Sequence, residues 1–133
     1  MYSPSFDQVA QYKEYDVIPV SKEIYADVIT PITLLRKIAD KYKNYYLLES
    51  IEGGEKWARY SFFGFDPKAR LYCKDGVVTI EGEGAKVVET KKPLTVLREY
   101  LSHYKTPTIN GNPPFTGGLV GYYGYSMIVY AEL

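Results

Sequence analysis

Residues 69–81 read ARLYCKDGVVTIE, and this stretch predicts the fold class. Two apolar runs, 69–73 and 77–81, flank the pair Asp75-Gly76, and an Asp-Gly pair in that setting is a strong signal for a β-hairpin. A third predicted strand, residues 85–89, follows another glycine-containing turn. The three strands predict a meander, and because tight hairpins join antiparallel strands, they rule out an all-parallel sheet.

Two amphipathic helices are predicted from apolar residues that recur at spacings of three and four. The first begins at Thr30-Pro31, with Thr30 as its N-cap, and ends at Asn44. The second begins at Pro93, and a shorter helix with Ser5 as its N-cap opens the chain. The predicted buried positions are Leu34, Leu35, Ile38, Ala39 and Tyr42 in the first helix, and Leu94, Leu97, Leu101 and Tyr104 in the second.

Four further stretches read as strands. They are residues 16–28, in which Pro19 favours an edge position, residues 45–52, residues 59–65, and the glycine-punctuated run 115–125. Strands joined by hairpins and interspersed with helices predict an α+β fold. We expect sandwich-like antiparallel sheets with two or three helices packed on the outside.

Composition excludes several classes of function. The chain has 133 residues, with 16 Lys and Arg balanced by 16 Asp and Glu, so a basic patch for nucleic acid or an anionic membrane surface is not predicted. The single cysteine, Cys73, permits no internal disulfide, which suits the cytosol. No signal peptide is predicted, and no apolar run approaches the roughly 20 residues that span a bilayer.

The residues that usually carry catalysis are sparse. His103 is the one histidine, and it has no metal-ligand spacing to Cys73. No nucleophile elbow surrounds any serine. Gly118, Gly121 and Gly124 recur every third residue, which is not a phosphate-binding pattern and favours close packing of a strand against another backbone. We therefore predict no catalytic residue and no metal ligand in this chain.

One polar pair stands at the end of an apolar strand. Glu49-Ser50 directly follows Tyr45-Tyr46-Leu47-Leu48, and Ser61 lies on the neighbouring predicted strand. A carboxylate and hydroxyls in this position can receive an ammonium group and other donors of a small ligand. The alternative is an ordinary exposed strand end.

Four segments together resemble the N-terminal region of anthranilate synthase component I, a family of chorismate-using enzymes. They are DVIPVSKEI (16–24), YYLLES (45–50), RYSFFGFDP (59–67) and PPFTGGLVGYYGY (113–125). The resemblance implies that residues 1–133 are a regulatory domain of a cytoplasmic enzyme that converts chorismate to anthranilate. It implies that the catalytic portion, a Mg²⁺ ion and a glutamine amidotransferase subunit lie outside this chain, which alone is inactive and holds no cofactor.

The resemblance also implies a role in feedback inhibition by L-tryptophan. Carried over position by position, the ligand contacts are Ser50, Glu49, Leu48, Tyr60 and Ser61. Some relatives carry a lysine where this chain has Tyr60. Ser126 and Val129 depart from the family pattern, which has an aspartate and a basic residue there.

Two other interpretations remain open. The first is the related aminodeoxychorismate synthase component I. The second is a non-enzymatic binding or scaffold domain that uses its tyrosine-rich surface, or a homo-oligomer formed through surfaces that are covered in a longer protein. An apolar stretch without a stop signal before Leu133 also predicts that the chain is a truncated piece.

Overall fold

The computed structural model describes residues 1–25, 27–49 and 60–131. The chain divides into two compact units, one of residues 1–21 with 69–133 and the other of residues 22–68. Several antiparallel sheets and short helices confirm the predicted α+β class. In chain order the elements are β1 (Tyr2–Ser3), α1 (Phe6–Val9), a 3-10 helix (Ala10–Tyr12), β2 (Ser21–Lys22), α2 (Pro31–Ala39), β3 (Tyr45–Glu49), β4 (Ser61–Phe65), β5 (Ala69–Lys74), β6 (Val77–Gly82), β7 (Lys86–Glu89), α3 (Pro93–Ser102), a second 3-10 helix (Tyr125–Met127) and α4 (Ile128–Ala131).

The predicted N-terminal helix is confirmed as α1, although it is shorter than the sequence suggests. Ser5 forms a capping box with Gln8: the Gln8 backbone N–H donates to the Ser5 hydroxyl, and the Ser5 N–H donates to the Gln8 side chain at 2.9 Å. This exchange satisfies two of the backbone donors that a helix start leaves free.

The strand predicted over residues 16–28 is wrong for most of its length, since β2 covers only Ser21–Lys22. Asp16 and Val17 instead donate their backbone N–H groups to the Lys105 carbonyl, and the Lys105 N–H donates to the Asp16 carboxylate at 2.8 Å. The backbone groups that a strand would use are thus bound to a loop, and Pro19 offers no donor.

Strands β5, β6 and β7 form the predicted meander. Asp75 and Gly76 both have positive φ, 52° and 77°, as the tight turn of a two-residue hairpin requires. Val78 and Ile80 on β6 are 1% and 2% exposed, and with Val96 of α3 they form the core of this unit. Cys73 packs against that core, as expected of a small apolar residue.

Helix α3 begins at Pro93 as predicted, but the predicted buried stripe is wrong in its phase. Leu94 and Leu101 are exposed, whereas Pro93 and Val96 are buried and Tyr100 packs against the core. The helix is apolar on more than one face, and contact with Val78 and Ile80 selects the face that carries Val96. His103 caps the C-terminal end of α3.

The second unit contains α2, β3 and β4. Thr30 caps α2 by accepting a hydrogen bond from the Thr33 N–H, and Pro31 occupies the first turn, both as predicted. The helix ends at Ala39 rather than at Asn44, and Ile38 is its buried residue. Beyond its end, the rings of Tyr42 and Phe65 pack with centroids 4.8 Å apart.

The strand predicted over residues 115–125 is wrong. In the part of the chain that the structure describes, no strand includes these residues, and the segment leads into the second 3-10 helix and α4. An extended backbone becomes a strand only when a neighbour supplies its hydrogen bonds. None of the helices within the described ranges is long and apolar enough to cross a membrane.

Candidate functional site

The candidate site lies at one end of the two-stranded ladder of β3 and β4. The strands pair antiparallel from Tyr45 opposite Phe65 to Glu49 opposite Ser61. Glu49 and Ser61 are therefore the last described pair, and the Ser61 hydroxyl donates to the Glu49 carboxylate at 3.4 Å. Sequence reasoning predicted both residues, and the register brings their side chains together.

Leu48 and Tyr60 lie on the other face of the same ladder. Leu48 is directly opposite Phe62, and successive residues of a strand point to opposite faces. The Tyr60 ring lies beside the Phe62 ring, with centroids 6.1 Å apart. The predicted ligand residues thus divide into a polar pair on one face and an apolar group on the other. Ser50, the fifth predicted contact, lies outside the described residues.

Tyr46, Phe62 and Gly64 are three residues of the apolar face that sequence reasoning missed. The Tyr46 ring covers Gly64 so closely that an added Cβ on Gly64 would collide with the ring. Burial raises the pKa of the Tyr46 phenol. A glycine inside a strand is a general signal of close approach, and at Gly64 the approaching group is the ring of its cross-strand partner.

The face of the ladder that carries Glu49 and Ser61 packs against α2 at the end of the ladder where Tyr45 pairs with Phe65. A depression of about 340 Å³ lies between the end of α2 and Phe65. Its lining combines the cations of Lys37 and Lys41 with the rings of Tyr42 and Phe65. The four described ligand candidates do not line this depression, since Leu48, Glu49, Tyr60 and Ser61 lie at the other end of the ladder.

The polar side chains at this end of the ladder can accept hydrogen bonds from a ligand. Glu49 is exposed, and its carboxylate can accept hydrogen bonds from an ammonium group while Ser61 offers a further polar contact. Leu48 is 48% exposed and leaves apolar surface open on the other face of the same ladder end. Among the described residues, no three His, Cys, Asp or Glu side chains are grouped so that they could hold a metal ion.

Sequence comparison finds several proteins that are similar to this chain. It is 42% identical to anthranilate synthase component 1 of Pseudomonas aeruginosa over 120 residues, which are 89% of this chain and 24% of that protein. It is 37% identical to anthranilate synthase component 1 of Acetivibrio thermocellus over 99% of this chain and 27% of that protein. The corresponding protein of Acinetobacter calcoaceticus is 38% identical over 96% of this chain and 27% of its own length.

The chain thus spans about a quarter of the length of the curated relatives it matches. No family model matches it. No solved structure matches it either. The resemblance that its four segments carry is nevertheless confirmed, and this chain is similar to anthranilate synthase component 1 over nearly the whole of its own length.

Proposed function

We propose that this chain is the N-terminal regulatory part of anthranilate synthase component I and supplies one side of a feedback site for L-tryptophan. The observation that carries the proposal is the meeting of Glu49 and Ser61 at the end of the β3–β4 ladder. The similarity to anthranilate synthase component 1 at 36–42% identity supports it.

The chemistry of the ladder end suits part of an amino acid. The ammonium group of tryptophan would donate to Glu49, and Ser61 would hold that carboxylate in place. Leu48 and Tyr60 flank the same end on the other face, so an indole ring that crosses the strand end would contact them. Ser50, the next residue of the chain, is a further proposed contact.

The ligand's own carboxylate needs a positive partner, and Tyr60 cannot supply a charge. The remaining three quarters of the protein would therefore complete the pocket. Bound tryptophan would inhibit by stabilising one arrangement of the two parts over another, because a ligand shifts an equilibrium only through its differential affinity. A coupling free energy of about 1–3 kcal/mol is typical of such regulation.

The reaction itself would take place outside this chain. Conversion of chorismate to anthranilate, the Mg²⁺ ion and the glutamine amidotransferase partner belong, in this proposal, to the rest of a cytoplasmic enzyme. The scarcity of catalytic side chains supports that division, since His103 caps a helix and Cys73 packs against a core. The chain alone would show no activity on chorismate.

Calorimetric titration of L-tryptophan into the purified chain tests the site. Binding should weaken by about tenfold or more in Glu49→Gln, because a hydrogen bond to a charged group is lost. Glu89→Gln is the matched control, since Glu89 is also the exposed last residue of a strand. Indole-3-propionate, which lacks the ammonium group, should bind weakly and equally to the unmodified chain and to Glu49→Gln. Equal tryptophan affinity in Glu49→Gln and the unmodified chain would contradict the proposed role of Glu49.

A full-length chimera tests the regulatory assignment in an active enzyme. In it, this chain replaces the 120 matched residues of the Pseudomonas aeruginosa protein. We expect the chimera to produce anthranilate and to be inhibited by tryptophan, with inhibition relieved by Glu49→Gln. Uninhibited production of anthranilate would remove the regulatory assignment.

A further inference from the structure

Residues 119–125 expose an apolar surface within the described part of the chain. Tyr122 and Tyr125 are 94% and 90% exposed, and Leu119, Val120 and Tyr123 are exposed beside them. The whole segment, FTGGLVGYYGY, carries no charged residue. Contiguous apolar surface of this kind usually marks an interaction site, because burying it is favourable by about 25 cal/mol per Å².

The backbone of this segment also lacks a strand partner within the described part of the chain. The three sheets formed by those residues are β1 with β2, β3 with β4, and β5 to β7. An extended, uncharged segment without lysine or proline is a ready template for pairing with a sheet edge. Residues 119–124 therefore present apolar side chains that a partner can bury and backbone N–H and C=O groups that a neighbouring strand can hydrogen-bond.

The glycines of the segment differ in whether their local conformation requires glycine. A Cβ added to Gly121 would meet no atom within 4 Å, and neither Gly121 nor Gly124 has the positive φ that favours glycine. By contrast, Gly118 has a φ of +149° and lies against the Phe115 ring. The geometry of the chain therefore accounts for glycine at position 118 but not at 121. Glycine inside a strand often marks close approach by another backbone, and at Gly121 no described atom makes that approach.

We propose that residues 119–124 form a β-strand in the longer protein, paired with a sheet edge of the remaining three quarters, whose backbone or side chains pack against Gly121. The relatives are about four times as long as the stretch that matches this chain. In a protein of that length, the rest of the same polypeptide is large enough to cover this segment. This inference rests on the proposed function, because it requires that the chain be part of a protein of that length.

Hydrogen exchange compares the backbone amides of residues 119–124 in this chain and in the full-length chimera described above. In the chain they should exchange rapidly, whereas strand pairing in the chimera should slow them by about 100-fold or more. The amides of β6 serve as the internal standard, because they are paired in the meander. Equal exchange of residues 119–124 in the two proteins would overturn the proposal.

A pair of glycine variants gives an independent readout. Gly121→Val should leave the thermal midpoint of this chain unchanged or raise it, because its side chain meets open space, and it should lower the midpoint of the chimera. Gly84→Val should lower both midpoints, since the φ of Gly84 is +71°. The same effect of Gly121→Val on both midpoints would overturn the proposal. Amide protection of residues 119–124 that grows with the concentration of the isolated chain would also overturn it, because a second copy of the chain would then be the partner.

These readouts separate the inference from the feedback site. A chimera that shows the differences in exchange and midpoint but does not respond to tryptophan would support the strand and remove only the regulatory assignment. A chimera that responds to tryptophan without those differences would retain the feedback site and overturn the strand.

Discussion

The meander with α3 and the segment 115–125 look alike in sequence and differ in structure. Both are rich in valine or tyrosine and punctuated by glycine, although the meander also carries charged residues and the segment carries none. The meander completes its own hydrogen bonds and covers Val78 and Ile80 with Val96. The segment forms no strand among the described residues and exposes its tyrosines. Strand propensity is thus realised only where the same chain supplies a partner and a cover.

Among the variants that test this contrast, Ile80→Ala should cause the largest loss in the free energy of unfolding. Ile80 is fully enclosed in the core under α3, so its truncation should lower the free energy of unfolding by about 2–5 kcal/mol. Chemical denaturation of the chain measures this value. Val87→Ala on the exposed side of β7 is the control and should change it by about 0.5 kcal/mol or less. Equal losses in the two variants would show that the core is not where the structure places it.

Gly76→Ala should have the next largest effect. Gly76 has a φ of +77° in the hairpin turn, where an L-residue with a Cβ costs roughly 1–2 kcal/mol. Gly121→Ala is the matched change in the exposed segment, where neither φ nor space opposes a methyl group. It should stabilise the isolated chain by about 0.4–1 kcal/mol by restricting the unfolded state. Opposite signs in denaturation experiments would confirm the contrast between the two glycines.

Tyr104→Phe should produce a smaller, pH-dependent effect. The hydrogen bond to Tyr100, 3.2 Å between the two hydroxyl oxygens, together with burial raises the pKa of Tyr104 above its usual range. Since the folded state holds this proton more tightly, its contribution to stability is complete below the unfolded pKa and is lost as pH rises through about 10 and beyond. Unfolding free energies measured across this range should fall less steeply for Tyr104→Phe. Identical slopes would contradict the raised pKa.

Tyr122→Ser should have the smallest effect in the isolated chain. The Tyr122 side chain is almost fully exposed, so its removal forfeits little burial, and the free energy of unfolding should change by about 0.5 kcal/mol or less. A large loss would show that the segment packs against the rest of the chain in solution. The result complements the exchange comparison, because it isolates the side chain from the backbone.

Much of the fold follows from local signals. Four local features were predicted, because each depends on residues within a few positions of one another. They are the N-cap at Ser5, the Thr30-Pro31 helix start, the Asp75-Gly76 turn and the Pro93 helix start. The strand over 16–28 and the buried stripe of α3 were not predicted correctly. Both depend on distant residues, Lys105 in one case and β6 in the other.

The candidate site was predictable in part. Glu49 and Ser61 were identified from the strands that carry them. Leu48, and the role of all three residues, came from the resemblance. Their division between two faces follows from the register of β3 with β4. Gly64 beneath Tyr46 was missed, since a single glycine in a strand indicates a close approach without saying which side chain makes it.

The sequence by itself determined the α+β class, the starts of the principal helices, the hairpin and the resemblance to anthranilate synthase component 1. These features depend on short-range chemistry and on the order of residues along the chain. The tertiary structure alone decided which face of α3 is buried, which strands find partners and which predicted ligand residues meet. Those outcomes require surfaces far apart in sequence to come together, and burial against a specific neighbour selects one arrangement among several that local preferences permit.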